Sequence, residues 1–248
     1  MDNIRLTLAY EGTRFLGWQK TNTGLSVEGI LEQVLAKILQ HDISLQAASR
    51  TDAGVHAAAQ VVNFFTSKEN VRLDRLQLSL NKLLPKDIAV LSIEKIQSHF
   101  HPTLHCLGKE YHYELCYGTA QFPMHRHFSW HYPCSLDISA MTLAAALMEG
   151  EHNFSAFCNF RKNIAYKSYV RQIEFIRLIE LPGQRLHFEI RGNSFLYKMV
   201  RNLVGTLVYV GCGKIHIQEI PALLSGGKRP QAGITAPAHG LCLFRVFY

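Results

Sequence analysis

Ser49-Arg50-Thr51-Asp52-Ala53-Gly54-Val55-His56 places a cation, two hydroxyls, a carboxylate, a glycine and an imidazole within eight residues. The segments on either side, Ile43 to Ala47 and Gln60 to Phe65, predict one strand entering this stretch and another leaving it. In an extended run residues two apart share a face, so Arg50 and Asp52 project together while Thr51 points away. Gly54 lets the chain turn sharply just past the carboxylate, leaving Asp52 at the mouth of a turn. Ala47, Ala48, Ala53, Ala57, Ala58 and Ala59 surround it with little bulk, so something large has room to approach. Taken alone, an Asp shortly before a Gly between strands is also ordinary turn chemistry.

Upstream, Ile4, Leu6 and Leu8 alternate in a strand that ends in Tyr10-Glu11-Gly12. Thr13 to Lys20 then interleaves Arg14 and Lys20 with Phe15 and Trp18. Such a loop suits RNA, where cations meet phosphate and aromatic faces stack on bases; two rings here equally fit the edge of a core. Ser26 is the N-cap expected for a helix with Val27, Ile30, Leu31, Val34, Leu35, Ile38 and Leu39 on one apolar stripe. Downstream, a helix over Arg72 to Leu84 buries Leu73, Leu76, Leu80 and Leu83, and Pro85 stops it before the strand opened by Asp87-Ile88-Ala89-Val90.

Further along, Lys109 to Leu115 is a strand with Tyr111, Tyr113 and Leu115 on one face, a pattern that by itself reads as core. His125, His127 and His131 fall in another predicted strand, and Asp137 to Glu149 is a helix. Arg161, Lys162, Lys167 and Arg171 form the most basic stretch and are candidate phosphate contacts. Arg171 to Leu181 and Leu186 to Ile190 make a hairpin with Pro182-Gly183 at its turn. Ser194 caps a predicted helix over Phe195 to Gly205, whose polar stripe of Ser194, Tyr197, Lys198, Arg201 and Gly205 leaves Arg201 as a surface residue by default.

The chain has 248 residues, a net charge of +7 from 26 Lys+Arg against 19 Asp+Glu, and 48% hydrophobic content. That length supports a full core in one large or two modest domains, and the charge favours a polyanionic partner. Six cysteines without C-x-x-C spacing read as free thiols in a reducing compartment, so a cytoplasmic location is expected. Leu203 to Val210 is too short an apolar run to span a bilayer, and no membrane association is expected. Candidate phosphate loops ending in Gly213-Lys214 and Gly227-Lys228 carry Val208 and Ala222 where a Walker A glycine belongs, so no nucleotide is implied. His101 and His105 are spaced for a shared helical face, but Pro102 between them argues against a helix and against a metal site.

Arg50 to His56, R-T-D-A-G-V-H, resembles without mismatch the signature loop of the tRNA pseudouridine synthase I (TruA-type) family. The likeness extends along essentially the whole chain. Tyr10 to Gln19 carries Y-x-G-x-x-F-x-G-W-Q, and Ser26-Val27-Glu28 resembles S-V-Q with Glu for Gln. N-x-x-L-P-x-D-I spans Asn81 to Ile88, and K-x-Y-x-Y spans Lys109 to Tyr113. Gly150 to Phe157 is close to G-x-H-D-F-x-x-F, Phe195 to Gly205 matches F-x-x-x-M-V-R-N-x-V-G, and Thr235 to Leu243 resembles T-A-P-x-x-G-L-x-L. The chain departs from the family's F-H-A-R-x-S-A, where Pro102, Thr103, His105 and Cys106 replace Ala, Arg, Ser and Ala, so one cationic RNA contact is missing or supplied elsewhere.

The resemblance implies a pseudouridine synthase fold of the α+β class, with two α+β halves over 1–104 and 105–248 and mainly antiparallel sheets joined across a basic cleft. It implies isomerisation of uridine to pseudouridine at positions 38, 39 and 40 of the tRNA anticodon stem and loop, by a homodimer, with no metal, redox carrier or nucleotide cofactor. Asp52 is then the catalytic carboxylate, and Tyr111, Arg201, Arg50 and His56 bind substrate. Tyr113 is left as core. A non-catalytic RNA-binding or folding factor of the same fold is the competing class, and a hydrolytic nuclease using Asp52 and a histidine the second enzyme class.

Overall fold

The computed structural model describes residues 1–162 and 166–248, and these fall into two compact units. The first comprises Met1–Leu107 with Cys242–Tyr248, the second Gly108–Leu241. The expected single boundary at 104/105 did not foresee the chain's last segment returning to the first unit. A parallel pairing between residues almost two hundred positions apart leaves no trace in local periodicity.

In the first unit, β1 (Asp2–Tyr10) runs antiparallel between β3 (His56–Thr66) and β4 (Ile88–Ile96). The short β2 (Gln46–Ala47) pairs with the far half of β3, at Asn63 and Val62. The closing strand β10 (Leu241–Phe247) pairs in parallel with the near end, Cys242 with His56 and Leu243 with Ala57. The strand leaving the octet is therefore gripped at its first residues. Helix α1 (Val27–Leu39) starts where expected, with the Gly29 N–H donating to the Ser26 hydroxyl, and it buries Val27, Leu31, Leu35 and Leu39.

Expected and observed elements differ here in two places. The strand expected over Ile43 to Ala47 shrinks to two residues because the Leu45 N–H donates to the Glu32 carboxylate of α1 instead of to a strand. Leu83, expected in the core, is exposed, while Leu84 at the end of α2 (Leu73–Leu83) is buried.

The second unit is built on β5 (Gly108–Tyr117), with β6 (Trp130–Tyr132) parallel to it and β9 (Arg185–Gly192) antiparallel. β8 (Val170–Leu181) pairs antiparallel with both β9 and β7 (Gly150–Asn153). Alternation along β5 and β9 buries Tyr111, Tyr113, Leu115, Leu186, Phe188 and Ile190 on one face. Helix α3 (Ile138–Met148), capped by Asp137, packs against β8 and against α4 (Met199–Gly211). The β8–β9 hairpin turns through Gly183 and Gln184, both at positive φ, as the Pro-Gly signal predicts.

Helix α4 begins four residues later than predicted. Lys198 adopts a left-handed conformation, φ 60°, and the Tyr197 N–H donates to the Tyr166 hydroxyl, so 195–198 forms a turn ahead of the helix and Ser194 is not its cap. Of the three histidines placed in one strand, only His131 is in β6; His125 ends a 3-10 turn. A short helix, α5 (Ile220–Leu224), follows α4. No helix among the described residues is long and apolar enough to cross a membrane, and all six cysteines are free thiols.

Candidate active site

The Asp52 loop is held by backbone and side-chain groups of the first unit. Gln60 of β3, fully buried, clamps Ser49 twice: its Oε1 accepts from the Ser49 N–H at 3.2 Å and its Nε2 donates to the Ser49 carbonyl at 2.6 Å. Thr51 turns inward, its Oγ1 2.8 Å from the Tyr10 hydroxyl, and its carbonyl accepts from the Trp18 N–H at 3.0 Å. The Val55 N–H closes the turn onto the Asp52 carbonyl at 3.1 Å, with Gly54 at φ 80° and its N–H on the Phe15 carbonyl. Arg50 is exposed, Thr51 buried and Asp52 half-buried, the alternation expected of an extended run.

Two glycines explain why the loop fits. A Cβ on Gly12 would meet the Val55 carbonyl oxygen at 2.1 Å, and one on Gly17 would meet the Thr51 carbonyl oxygen at 2.5 Å. The Y-x-G-x-x-F-x-G-W-Q stretch is thus a backbone cradle for the Asp52 turn. Its aromatic residues are core: Phe15 and Trp18 are buried, Trp18 against Tyr10, so neither ring offers a face to RNA. His56 also serves the cradle. It is buried, and its Nδ1 accepts the Gly12 N–H at 3.0 Å. Glu28, standing where the family has Gln, accepts from the Lys20 N–H at 2.6 Å and the Gln19 amide at 3.2 Å, which ties the end of the cradle to α1.

The segment that departs from the family folds on itself. His101 Nδ1 accepts the Thr103 N–H, His105 Nδ1 accepts the His101 N–H, and the Thr103 hydroxyl donates to the Ala47 carbonyl at 2.7 Å. Both imidazoles therefore hold backbone.

In the second unit, Tyr111 is buried with the Phe195 ring edge-on at 5.1 Å. Tyr113, the residue read as core, is fully buried and donates to the Pro237 carbonyl at 2.8 Å. Burial holds its hydroxyl well above the ordinary phenol range, with the Arg201 cation pulling the other way. Arg201 is half-buried on α4. Its Nε donates to the Ala236 carbonyl at 2.7 Å, and the Ala236 N–H returns a bond to the Arg201 carbonyl. The Thr235-Ala236-Pro237 stretch thereby fixes both Arg201 and the Tyr113 hydroxyl.

Sequence reasoning missed the support beneath that stretch. Asn202, fully buried, donates to the Phe157 carbonyl and to Asn159 Oδ1, and its own Oδ1 accepts from Thr235 Oγ1 at 2.7 Å and the Arg229 guanidinium at 2.8 Å. Gly205 completes the contact, since a Cβ there would sit 1.7 Å from the Ile234 carbonyl oxygen. The available signals were Asn202 directly after Arg201 and the T-A-P tail, but nothing in the sequence joins the two. Asp52, Arg50 and His56 belong to the first unit, Tyr111 and Arg201 to the second.

The outer face of β5 and β9 carries a separate ladder of charge. His187 lies opposite Glu114 and His112 opposite Glu189, and the ligand atoms of His112, His187 and Glu189 fall within 4.8 Å of one another. His187 Nδ1 is 2.5 Å from the Glu114 carboxylate and His112 Nε2 2.8 Å from that of Glu110, so each imidazole is hydrogen-bonded to a carboxylate. The Glu114 carboxylate raises the His187 pKa above its ordinary 6.5, burial opposing it. A raised folded-state pKa stabilises fully below the unfolded value and is lost as pH rises through the folded one. The stability gap between the parent and Glu114→Gln should accordingly be larger at pH 6 than at pH 8.5. Urea denaturation at both pH values checks this, and an equal gap would contradict it.

Comparison with known proteins accords with the motifs. The family model described as tRNA pseudouridine synthase matches residues 7–103 and 144–248. "tRNA pseudouridine synthase A 2" of Protochlamydia amoebophila is 54% identical over 248 residues, covering 100% of this chain and 95% of that protein. "tRNA pseudouridine synthase A" of Ruminiclostridium cellulolyticum is 37% identical over 248 residues, covering 100% of both. Among solved structures, a Cbf5–Nop10–Gar1 complex aligns with 97% of this chain at a TM-score of 0.40 and 14% identity, and the chain spans about half, 48%, of that chain. By the family match and the full-length identity to these relatives, the chain belongs to the tRNA pseudouridine synthase family.

Proposed function

We propose that this isomerase converts uridine to pseudouridine at positions 38, 39 and 40 of the tRNA anticodon arm, with Asp52 as the essential carboxylate. The observation that carries this reading is the octet itself: a half-exposed Asp on a turn whose backbone is held by Tyr10, Gly12, Phe15, Trp18 and Gln60. Rigid positioning of a reacting group is worth several kcal/mol of barrier, on the order of 7 at the least for well-oriented intramolecular reactions.

The chemistry balances without a co-reactant. The bond from ribose C1′ to uracil N1 breaks, the base turns, C5 bonds to C1′, the C5 proton leaves and N1 gains one. A stacked uracil has no room to turn, so the nucleotide must flip out, at about a few kcal/mol. Asp52 acts either as nucleophile on the sugar or base or as base on a ribose proton. Arg201 fills the vacated space, and Tyr111 stacks on the uracil or moves its proton. Arg50, exposed beside Asp52, takes a phosphate, and His56 contributes by holding the turn. The working form is a cytoplasmic homodimer in which one RNA arm reaches across subunits. The family resemblance supports the dimer, and the free thiols support the compartment.

The test is to incubate the protein with an unmodified tRNA carrying uridine at 38, 39 and 40 and map carbodiimide adducts by primer extension. New stops should fall at those positions. Stops confined to other loops would overturn the positional claim.

A further inference from the structure

At 91% exposure, Phe160 is the most exposed large apolar side chain among the described residues. A single exposed ring is ordinary; its setting is not. Phe157 and Cys158 just before it are buried, and Asn159 is pinned, its N–H on the Tyr197 carbonyl at 3.2 Å and its Oδ1 accepting from Asn202 at 2.8 Å. The chain thus leaves a fixed anchor and puts a phenyl ring into solvent beside α4, the helix of Arg201.

Cations are arrayed next to it on aromatic rings. The Arg161 guanidinium lies 5.3 Å and the Lys198 ammonium 5.2 Å from the Tyr197 ring centroid, and the Arg171 guanidinium 5.8 Å from that of Tyr166. The Tyr166 hydroxyl in turn accepts the Tyr197 N–H. No Asp or Glu occurs in 152–173 or in 190–218, so these cations are not neutralised by carboxylates from their own segments. Lys198 stands at the left-handed turn that precedes α4, with its ammonium over the Tyr197 ring.

We propose that Phe160 stacks on an unpaired base of the RNA substrate while Arg161 and Lys198, seated on Tyr197, hold the neighbouring phosphates. The proposal rests on the tRNA reading above. It names the part of the chain that takes an unstacked base outside the reacting uridine. Single-stranded RNA is recognised by this pairing of exposed aromatic face and backbone cations.

The experiment compares the dissociation constant for unmodified tRNA of the full chain with those of Phe160→Ala, Phe160→Leu and Phe160→Tyr, beside sedimentation of each protein. Loss of one base stack should weaken binding roughly 10- to 100-fold in the Ala and Leu variants. The Tyr variant should stay near the parent because its ring still stacks. Parent-like affinity in Phe160→Ala, or restoration by Leu, would overturn the proposal. So would a changed sedimentation coefficient with unchanged tRNA affinity, which would make Phe160 a contact between copies of the chain. The binding comparison decides Phe160 whether or not the parent forms pseudouridine, so its failure is distinct from failure of the assigned activity.

Discussion

Asp52→Asn should lower the rate of pseudouridine formation by at least about a thousandfold, equivalent to about 4 kcal/mol of barrier, with the fold retained. Asparagine has the size and shape of aspartate but can neither act as an anionic nucleophile nor accept a proton at neutral pH. Thr51, Val55, Gly54, His56 and the Ser49–Gln60 clamp hold the turn through groups that the exchange leaves unchanged. The loss should therefore appear in the single-turnover rate at saturating tRNA and not in the melting temperature. A residual rate within tenfold of the parent would mean that another group performs the chemistry.

Gly17→Ala should reduce the same rate about a hundredfold by a different route, moving the carboxylate instead of removing it. Gly17 sits at φ 94°, where an L side chain is strained by about 1–3 kcal/mol. The new Cβ would also lie 2.5 Å from the Thr51 carbonyl oxygen and 3.0 Å from the Asp52 carbonyl carbon, both backbone atoms unable to rotate away. Overpacking of this kind adds about 1–3 kcal/mol. A total near 3 kcal/mol lowers the melting temperature by roughly 6–12 °C for a chain of this length. The turn must shift by something like an ångström, a displacement that commonly costs about a hundredfold in rate. Gly183→Ala is the control: its φ is 80°, but nothing lies within 4 Å, so it should lose about 1–2 kcal/mol and keep its rate. Parent-like activity in Gly17→Ala would show that the turn does not depend on the cradle.

Much of this was legible because it is local. Ser26 and the stripe behind it foretold α1, Pro182-Gly183 foretold the β8–β9 turn, and the octet between two strands foretold where Asp52 would stand. What escaped depends on partners distant in sequence. Phe15 and Trp18 fit an RNA-facing loop and a core edge equally in the sequence, and only the cradle around Gly12 and Gly17 decides for the core. The start of α4 moved because Tyr166, 31 residues away, captures the Tyr197 N–H. The four-way bonding of Asn202 joins Phe157, Asn159, Arg229 and Thr235, whose convergence no periodicity encodes. β10 paired with His56 and Ala57 for the same reason, since parallel pairing is set by the closed fold and not by the strand's own residues.

The central claim, that the chain isomerises uridine in tRNA, is tested most directly by tritium release from tRNA labelled at uracil C5. The parent should release tritium over time while the RNA stays full length on a denaturing gel, because forming the C5–C1′ bond expels the C5 hydrogen and cuts no phosphodiester. Tight binding without release would make the chain an RNA-binding factor, shortened RNA would make it a nuclease, and either result would contradict the account.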